Sequence, residues 1–214
     1  MQRLIQQADL DAIALIPGAN LQFLTGVEFH LMERPLVAFF LPDRAPVAIV
    51  PSLEQDRLRA SGLPFTLLPW SDSDGYQGAF EAAADELKLA GKRIGVEELR
   101  RRVLESELIR RHISDVQLVL AGGTLAGLRL RNDAAAIAAI REAIAISEDA
   151  LRATIEQVRP GMTERAVAGM LAVEQLRRGG GRLPFDTIVL AGPNSALPHG
   201  EPGDRVIAEG EPLL

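Results

Sequence analysis

One histidine lies in a segment whose neighbours leave the backbone little conformational freedom. The run Gly192-Pro193-Asn194-Ser195-Ala196-Leu197-Pro198-His199-Gly200 contains two prolines and two glycines, a composition typical of an irregular loop. An imidazole on such a loop can donate or accept a proton near neutral pH. On these residues alone we interpret the segment as a polar loop with a solvated His199, with a proton-handling site at His199 as the alternative.

Few other residues offer chemistry of this kind. The chain contains three histidines and no cysteine, which excludes disulfides, a thiolate nucleophile and cysteine-based metal sites. No two histidines have the close spacing of a metal motif, so a histidine-rich metal site is not expected. Five arginines fall within a predicted helix at residues 99–111: Arg100, Arg101, Arg102, Arg110 and Arg111. We interpret them as a solvated helix face, with a phosphate or acidic-ligand site as the alternative.

Composition narrows the class of protein. The 214 residues have 47% hydrophobic and 24% charged side chains, with a net charge of −6, as is ordinary for a globular protein. The negative charge argues against nucleic acid or an anionic membrane as partner. No apolar run approaches the ~20 residues of a membrane span. The N-terminal residues lack the apolar core of a signal peptide, so we expect a cytoplasmic protein.

The first half of the chain alternates short apolar runs with helical patterns. The predicted strands are residues 11–16, 36–41, 47–50, 65–68, 93–96 and 116–120. The predicted helices are residues 3–8, 20–24, 52–60, 78–89 and 99–111, the third of them beginning with a capping box at Ser52. This alternation predicts an α/β domain with a mixed sheet. The run Ala121-Gly122-Gly123-Thr124 interrupts the pattern, and we place a domain boundary there, giving domains 1–121 and 122–214.

The second half predicts two helices and an incomplete sheet. A long helix over residues 134–158 follows an N-cap at Asn132 or Asp133, and Thr163 caps a second one. Apolar residues at helical spacing form one stripe on the long helix: Ile137, Ile140, Ile144, Leu151, Ile155 and Val158. Strands are expected at 185–190 and 204–208, and a third begins near Leu213. Because a two-stranded ribbon is marginal alone, this half indicates the opening part of a larger α+β domain.

Eight segments in order resemble the creatinase/prolidase/Xaa-Pro aminopeptidase family of pita-bread metallopeptidases. The more specific ones are Pro160-Gly161-Met162-Thr163-Glu164 and the later Gly192-Pro193-Asn194-Ser195-Ala196-Leu197-Pro198-His199. The others are Leu10-Asp11-Ala12-Ile13, Asn20-Leu21-Gln22-Phe23-Leu24-Thr25-Gly26, Glu33-Arg34-Pro35, Ile49-Val50-Pro51, the helix from 131 to 151, and Phe185-Asp186-Thr187-Ile188-Val189. The resemblance implies a creatinase N-terminal-type domain followed by the incomplete first part of a pita-bread domain. It also implies that His199 is a catalytic residue that binds substrate and handles a proton.

The same resemblance implies an activity and a cofactor. The peptidase branch of the family hydrolyses the bond before proline at a peptide N-terminus, or cleaves Xaa-Pro dipeptides. Full-length members use two divalent metal ions, manganese, cobalt or zinc, held by two Asp, one His and two Glu. All five ligand positions of the family fall after residue 214, and Asp186 and Asp204 do not sit at ligand positions. We therefore expect a truncated chain with no metal ligand, no bound cofactor and no hydrolytic activity of its own.

The family also suggests partners and rival functions. Members form homodimers in which the segment after the Leu24-Thr25-Gly26 match can reach the partner's active site. Here that segment is His30-Leu31-Met32-Glu33-Arg34. Arg34 could bind a substrate carboxylate bidentately, with His30 beside it, and an internal Glu33–Arg34 charge pair is the alternative. The rival functions are a non-catalytic binding or dimerisation module of the same fold and a creatinase-type amidinohydrolase.

Overall fold

The computed structural model describes residues 1–183 and 185–214. It divides into two compact units, Met1–Arg131 and Asn132–Leu214, and each is described by itself.

The first unit is built on a six-stranded mixed sheet. Its strands are β1 (Ala12–Leu15), β2 (Val37–Phe40), β3 (Val47–Pro51), β4 (Thr66–Trp70), β5 (Arg93–Val96) and β6 (Gln117–Leu120). They lie in the order β4-β3-β2-β1-β5-β6. Strand β2 is antiparallel to both β1 and β3, and the other three pairs are parallel. The predicted mixed sheet is confirmed.

Helices cover both faces of this sheet. They are α1 (Gln2–Gln7), α2 (Ala19–Thr25), α3 (Gln55–Arg59), α4 (Gln77–Leu87), α5 (Val103–His112) and α6 (Gly122–Arg129). Successive strand residues point to opposite faces, so Ala12 and Ala14 join the core under α4 and α5, whereas Ile13 and Leu15 join the core that includes Leu58 of α3. The result is an α/β arrangement with two apolar cores, one on each face of the sheet.

The boundary between the units lies ten residues later than the glycine pair suggested. Gly122 and Gly123 begin α6 rather than a linker. Leu125 of that helix is only 2% exposed and shares a core cluster with Ile5 of α1. Because this helix packs into the same core as α1, it belongs to the first unit, which ends at Arg131.

Two local details in the first unit also differ from expectation. The Ser52 hydroxyl donates to the Trp70 carbonyl at 3.0 Å and caps no helix; a 3-10 turn, Ser52–Glu54, precedes α3. Helix α5 begins at Val103, so Arg100, Arg101 and Arg102 lie in the segment before it rather than on a helix face.

The second unit contains two helices, α7 (Ala134–Ile155) and α8 (Glu164–Arg177), which pack on each other. Both predicted caps form: an Asp133 carboxylate oxygen accepts from the Ala136 N–H at 2.8 Å, and the Thr163 hydroxyl accepts from the Ala166 N–H at 3.2 Å. The apolar stripe on α7 is present but uncovered, since five of its members are 41–61% exposed: Ile137, Ile140, Ile144, Leu151 and Ile155.

The strands predicted at 185–190 and 204–208 are wrong in the described part of the chain. Two isolated antiparallel bridges take their place, Thr163 with Val206 and Ala191 with Leu213. The Leu190 and Leu214 backbones exchange hydrogen bonds of 3.0 and 2.9 Å, which places the end of the chain beside residue 190. A ladder needs partners over several consecutive residues, and these segments have a partner at one or two positions only.

Among the described residues, no helix combines the length and the apolar character needed to cross a bilayer.

Candidate functional site

The predicted site residue His199 lies on an exposed loop. A 3-10 turn, Gly192–Ala196, opens the loop. The Ser195 hydroxyl donates to the Gly192 carbonyl at 2.6 Å, which tightens that turn. His199 is exposed, and its ring makes no hydrogen bond or ion pair with the described residues. Both ring nitrogens are therefore available to a ligand.

A buried carboxylate contacts the two ends of this loop. Glu164, the first residue of α8, is 0% exposed. One of its oxygens accepts from the Ala191 N–H at 2.8 Å and from the Asn194 side-chain amide at 3.0 Å. The other oxygen accepts from the Gly203 N–H at 3.1 Å. Ala191 and Asn194 precede His199 in the chain and Gly203 follows it.

These contacts set the charge state of Glu164. Burial on its own would raise the pKa of the carboxyl, because the charged form loses its hydration. The hydrogen bonds from Ala191, Gly203 and Asn194, with the nearby positive charge of Arg205, outweigh burial and hold the pKa of Glu164 below its ordinary value. The group is a carboxylate at neutral pH.

Arg205 and Glu211 also contact the start of the loop, at Ala191 and Gly192. The Arg205 side chain donates to the Ala191 carbonyl at 3.1 Å and pairs with Glu211, whose second oxygen accepts from the Ala208 N–H at 3.2 Å. Gly192 has φ +50°, and a Cβ at this position would lie 2.6 Å from a Glu211 oxygen. The positive φ favours glycine, and a Cβ here would force the Glu211 carboxylate to shift.

The other predicted site residues, His30 and Arg34, lie together in the first unit. Both line a cavity of about 80 Å³. The Arg34 guanidinium already holds a carboxylate bidentately, that of Asp72, at 2.9 and 2.7 Å, and it also donates to Glu33 at 2.8 Å. The hydrogen bond with Arg34 lowers the pKa of Asp72. A role for His30 and Arg34 in substrate binding stays a prediction.

The arginine cluster is not a uniform solvated face. Arg110 is exposed and pairs with Glu107 at 2.8 Å. Arg102 pairs with the buried Glu105 and donates to the Met32 carbonyl. Burial lowers the pKa of Arg101 to about 10, and two of its three guanidinium nitrogens are buried without a hydrogen-bond partner. Arg101 and Arg102 are therefore half-buried and bonded to the rest of the first unit rather than parts of a solvated helix face.

The described residues do not fit a metal centre. No group of three or more His, Asp or Glu side chains in the described part of the chain could hold a metal ion. Asp204 is exposed and pairs with Arg165 at 3.1 Å, as expected for a surface residue.

The hydrogen bonds between Glu164 and the His199 loop were not predicted from the sequence. A Thr-Glu pair at a helix start indicates a cap and a favourable helix dipole, and nothing more. The partners of Glu164 lie 27 to 39 residues away, and no local pattern announces such contacts.

Comparison with known proteins agrees with this architecture. The family model of the creatinase/prolidase N-terminal domain matches residues 1–131, and that of metallopeptidase family M24 matches residues 138–214. An uncharacterized peptidase of Staphylococcus epidermidis is 25% identical over 215 residues, covering 100% of this chain and 59% of its own length.

Solved structures resemble the chain over nearly its whole length. The crystal structure of dipeptidase PepE from Mycobacterium ulcerans has a TM-score of 0.83 at 28% identity, covering 99% of this chain and 56% of its own. Prolidase from Thermococcus sibiricus has a TM-score of 0.88 at 24% identity, covering 99% and 57%, and this likeness shows the fold. The chain spans 56–59% of the length of these three relatives.

The first match covers the whole α/β unit, and the second covers the unit with the Glu164-bound loop. The chain therefore belongs to the creatinase/prolidase family, with a creatinase/prolidase N-terminal domain followed by a segment of the M24 metallopeptidase domain.

Proposed function

We propose that this chain provides the substrate-facing loop of a peptidase that cleaves dipeptides or N-terminal Xaa-Pro bonds, with His199 against the peptide. One observation carries the proposal. Within the M24-matched segment, a solvent-facing histidine without a protein partner among the described residues sits on a loop fixed by a buried carboxylate. Similarity to a protein named a dipeptidase supports the substrate class.

His199 would act through its ring nitrogens. An imidazole N–H can donate a hydrogen bond to a peptide carbonyl oxygen, and an unprotonated ring nitrogen can accept a hydrogen bond from an N–H or O–H group of the substrate. A fixed loop reduces the entropy lost when the ring is positioned against substrate.

Metal chemistry would come from residues other than those described. In a metallopeptidase a bound metal supplies an activated water. Because the described side chains form no such site, we expect the 214-residue polypeptide alone to bind peptide without hydrolysing it. Arg34 and His30 would contact substrate across a homodimer, and a substrate carboxylate would have to displace Asp72 from Arg34.

A second candidate is a non-catalytic binding or dimerisation module of the same fold, a function that would need no metal ligands. The two functions differ in ligand preference. A peptidase-derived site should discriminate the Xaa-Pro order of residues from its reverse, whereas an assembly module should not.

The test is calorimetric titration of the purified chain with Ala-Pro and with Pro-Ala, alongside an assay for proline release in the presence of manganese. We expect saturable binding of Ala-Pro that is weakened in a His199→Ala variant, and no proline release. Equal or absent binding of both dipeptides up to about 10 mM, where binding is worth under ~3 kcal/mol, would exclude the peptidase-site proposal. Robust metal-dependent release would contradict the expectation that the chain alone is inactive.

A further inference from the structure

We propose that Glu164 is the positioning residue of the His199 loop. Its buried carboxylate joins the upstream limb of the loop, residues 191–194, to the downstream limb, residues 200–203, and so fixes the position of the imidazole between them. Glu164 acts on the site of the proposed function, and only the role of His199 in binding a peptide rests on that proposal. The physical claim about the loop is independent of it.

The geometry supports a bridging role. The upstream limb is bound through the Ala191 N–H and the Asn194 side chain, and the downstream limb through the Gly203 N–H. Arg205 makes a second connection: it lies two residues after Gly203, and its side chain donates to the Ala191 carbonyl at 3.1 Å. Among the described residues, Glu164 is the only side chain outside the loop and its flanks that forms hydrogen bonds with both limbs.

The downstream limb is tied to the start of α8 a second time. The Glu164 N–H donates to the Arg205 carbonyl at 3.0 Å, and the Arg165 N–H donates to the Gly203 carbonyl at 3.0 Å. The helix start therefore offers both its backbone N–H groups and its first side chain to this limb. The start of α8 therefore holds the downstream limb through both backbone and side-chain hydrogen bonds.

Removing the carboxylate should release the loop more than it unfolds the unit. The two helices contact each other directly, and their caps, Asp133 and Thr163, do not involve the loop. In a Glu164→Ala variant, three donors lose a charged acceptor at once. A buried donor without an acceptor is costly, so the limbs should move to expose these groups to water.

The Glu164→Gln variant separates the two limbs. If the substituted side chain keeps its amide oxygen toward Ala191 and Asn194, its amide N–H₂ faces the Gly203 N–H, and two donors then oppose each other. Glu164→Gln should therefore loosen chiefly the downstream limb, whereas Asn194→Ala should loosen only the upstream one.

Glu174 offers a matched control on the same helix. It is also buried, at 8% exposure, and its carboxylate pairs with Arg177 and Arg178, away from the loop. Glu174→Ala removes a buried carboxylate from α8 without touching the limbs.

The experiment is hydrogen exchange measured by mass spectrometry on the full chain at neutral pH, with ¹³C spectra of the His199 ring as a second readout. We expect the amides of residues 192–203 to exchange at least tenfold faster in Glu164→Ala, and the His199 resonance to move toward the value of an unstructured peptide. Glu174→Ala should leave both unchanged. Should Glu164→Ala fail to fold, the Glu164→Gln and Asn194→Ala variants still make the limb-by-limb prediction.

Unchanged exchange in residues 192–203 of a folded Glu164 variant would overturn the inference, as would equal acceleration in Glu174→Ala. The outcome is distinguishable from failure of the proposed function. A loop that loosens as expected, in a protein whose wild type ignores Ala-Pro, would leave Glu164 as a positioning residue of a site with another ligand.

Discussion

Glu164 should make the stability of the second unit depend on pH in a defined direction. Its pKa is lowered in the folded protein, against about 4.3 for an unfolded glutamate. A carboxyl with a lowered folded pKa contributes stability that is fully present above the unfolded pKa and is lost as pH falls through the folded pKa. The effect therefore belongs to the acid range.

The size of the effect follows from the contacts. Glu164→Gln removes the acceptor of the Gly203 N–H at 3.1 Å and the charge that favours all three bonds. A hydrogen bond to a charged group contributes about 1.5–3 kcal/mol, so at neutral pH we expect the variant to lose about 2 kcal/mol. Below the folded pKa the wild-type carboxyl is itself neutral, and the difference should shrink toward zero.

Urea unfolding can measure this unit separately. The single tryptophan, Trp70, lies in β4 of the first unit, so its fluorescence follows that unit, while circular dichroism follows both. The tryptophan transition should be the same in wild type and Glu164→Gln. The part of the dichroism change that fluorescence does not follow reports the second unit, and only the urea midpoint of that part should shift.

Val167→Ala is the control. Val167 is 4% exposed in the small core of the second unit, and losing about two methylene equivalents costs roughly 1.6 kcal/mol or more, independent of pH. A Glu164→Gln difference that stays constant or grows between neutral pH and acid would refute the reasoning.

Three further predictions concern the packing and the buried charge. Gly192→Ala should destabilise the second unit by about 1–3 kcal/mol by urea unfolding, because φ is +50° and the new methyl meets Glu211; an unchanged midpoint would contradict the account of the turn. Arg101→Met should be neutral or stabilising by tryptophan-monitored unfolding, since two guanidinium nitrogens are buried unpaired; a loss above about 2 kcal/mol would show that the charge is needed. Phe39→Ala, at 0% exposure, should lower the free energy of unfolding by about 3–5 kcal/mol, whereas Phe23→Ala, at 53% exposure, should change it little; equal losses would contradict the assignment of Phe39 to the core.

The α/β unit was predictable because its signals are local. Short apolar runs closed by turn residues, such as residues 11–16 before Pro17 and Gly18, predict buried strands whatever their neighbours in the sheet. The exception is α6. Its first residues, Gly122 and Gly123, suggest a break in the chain, but the segment is helical because Leu125 packs in the same core as Ile5.

The second unit was less predictable because its structure depends on distant contacts. Residues 185–190 have the composition of a strand, but a strand exists only where a neighbour supplies hydrogen bonds, and here backbone pairing begins at Leu190. The helix caps at Asp133 and Thr163 were found because the donor lies three residues away. The contacts of Glu164 span 27 to 39 residues and leave no local trace.

The most direct test of the central claim, that His199 faces the peptide, is a ¹³C spectrum of the histidine rings during titration with Ala-Pro. The chain has three histidines, so a His199→Gln variant assigns the resonance. We predict that Ala-Pro shifts the His199 signal saturably, that Pro-Ala does not, and that the His112 signal stays fixed. A His199 signal that ignores Ala-Pro while calorimetry shows binding would place the peptide elsewhere and contradict the account.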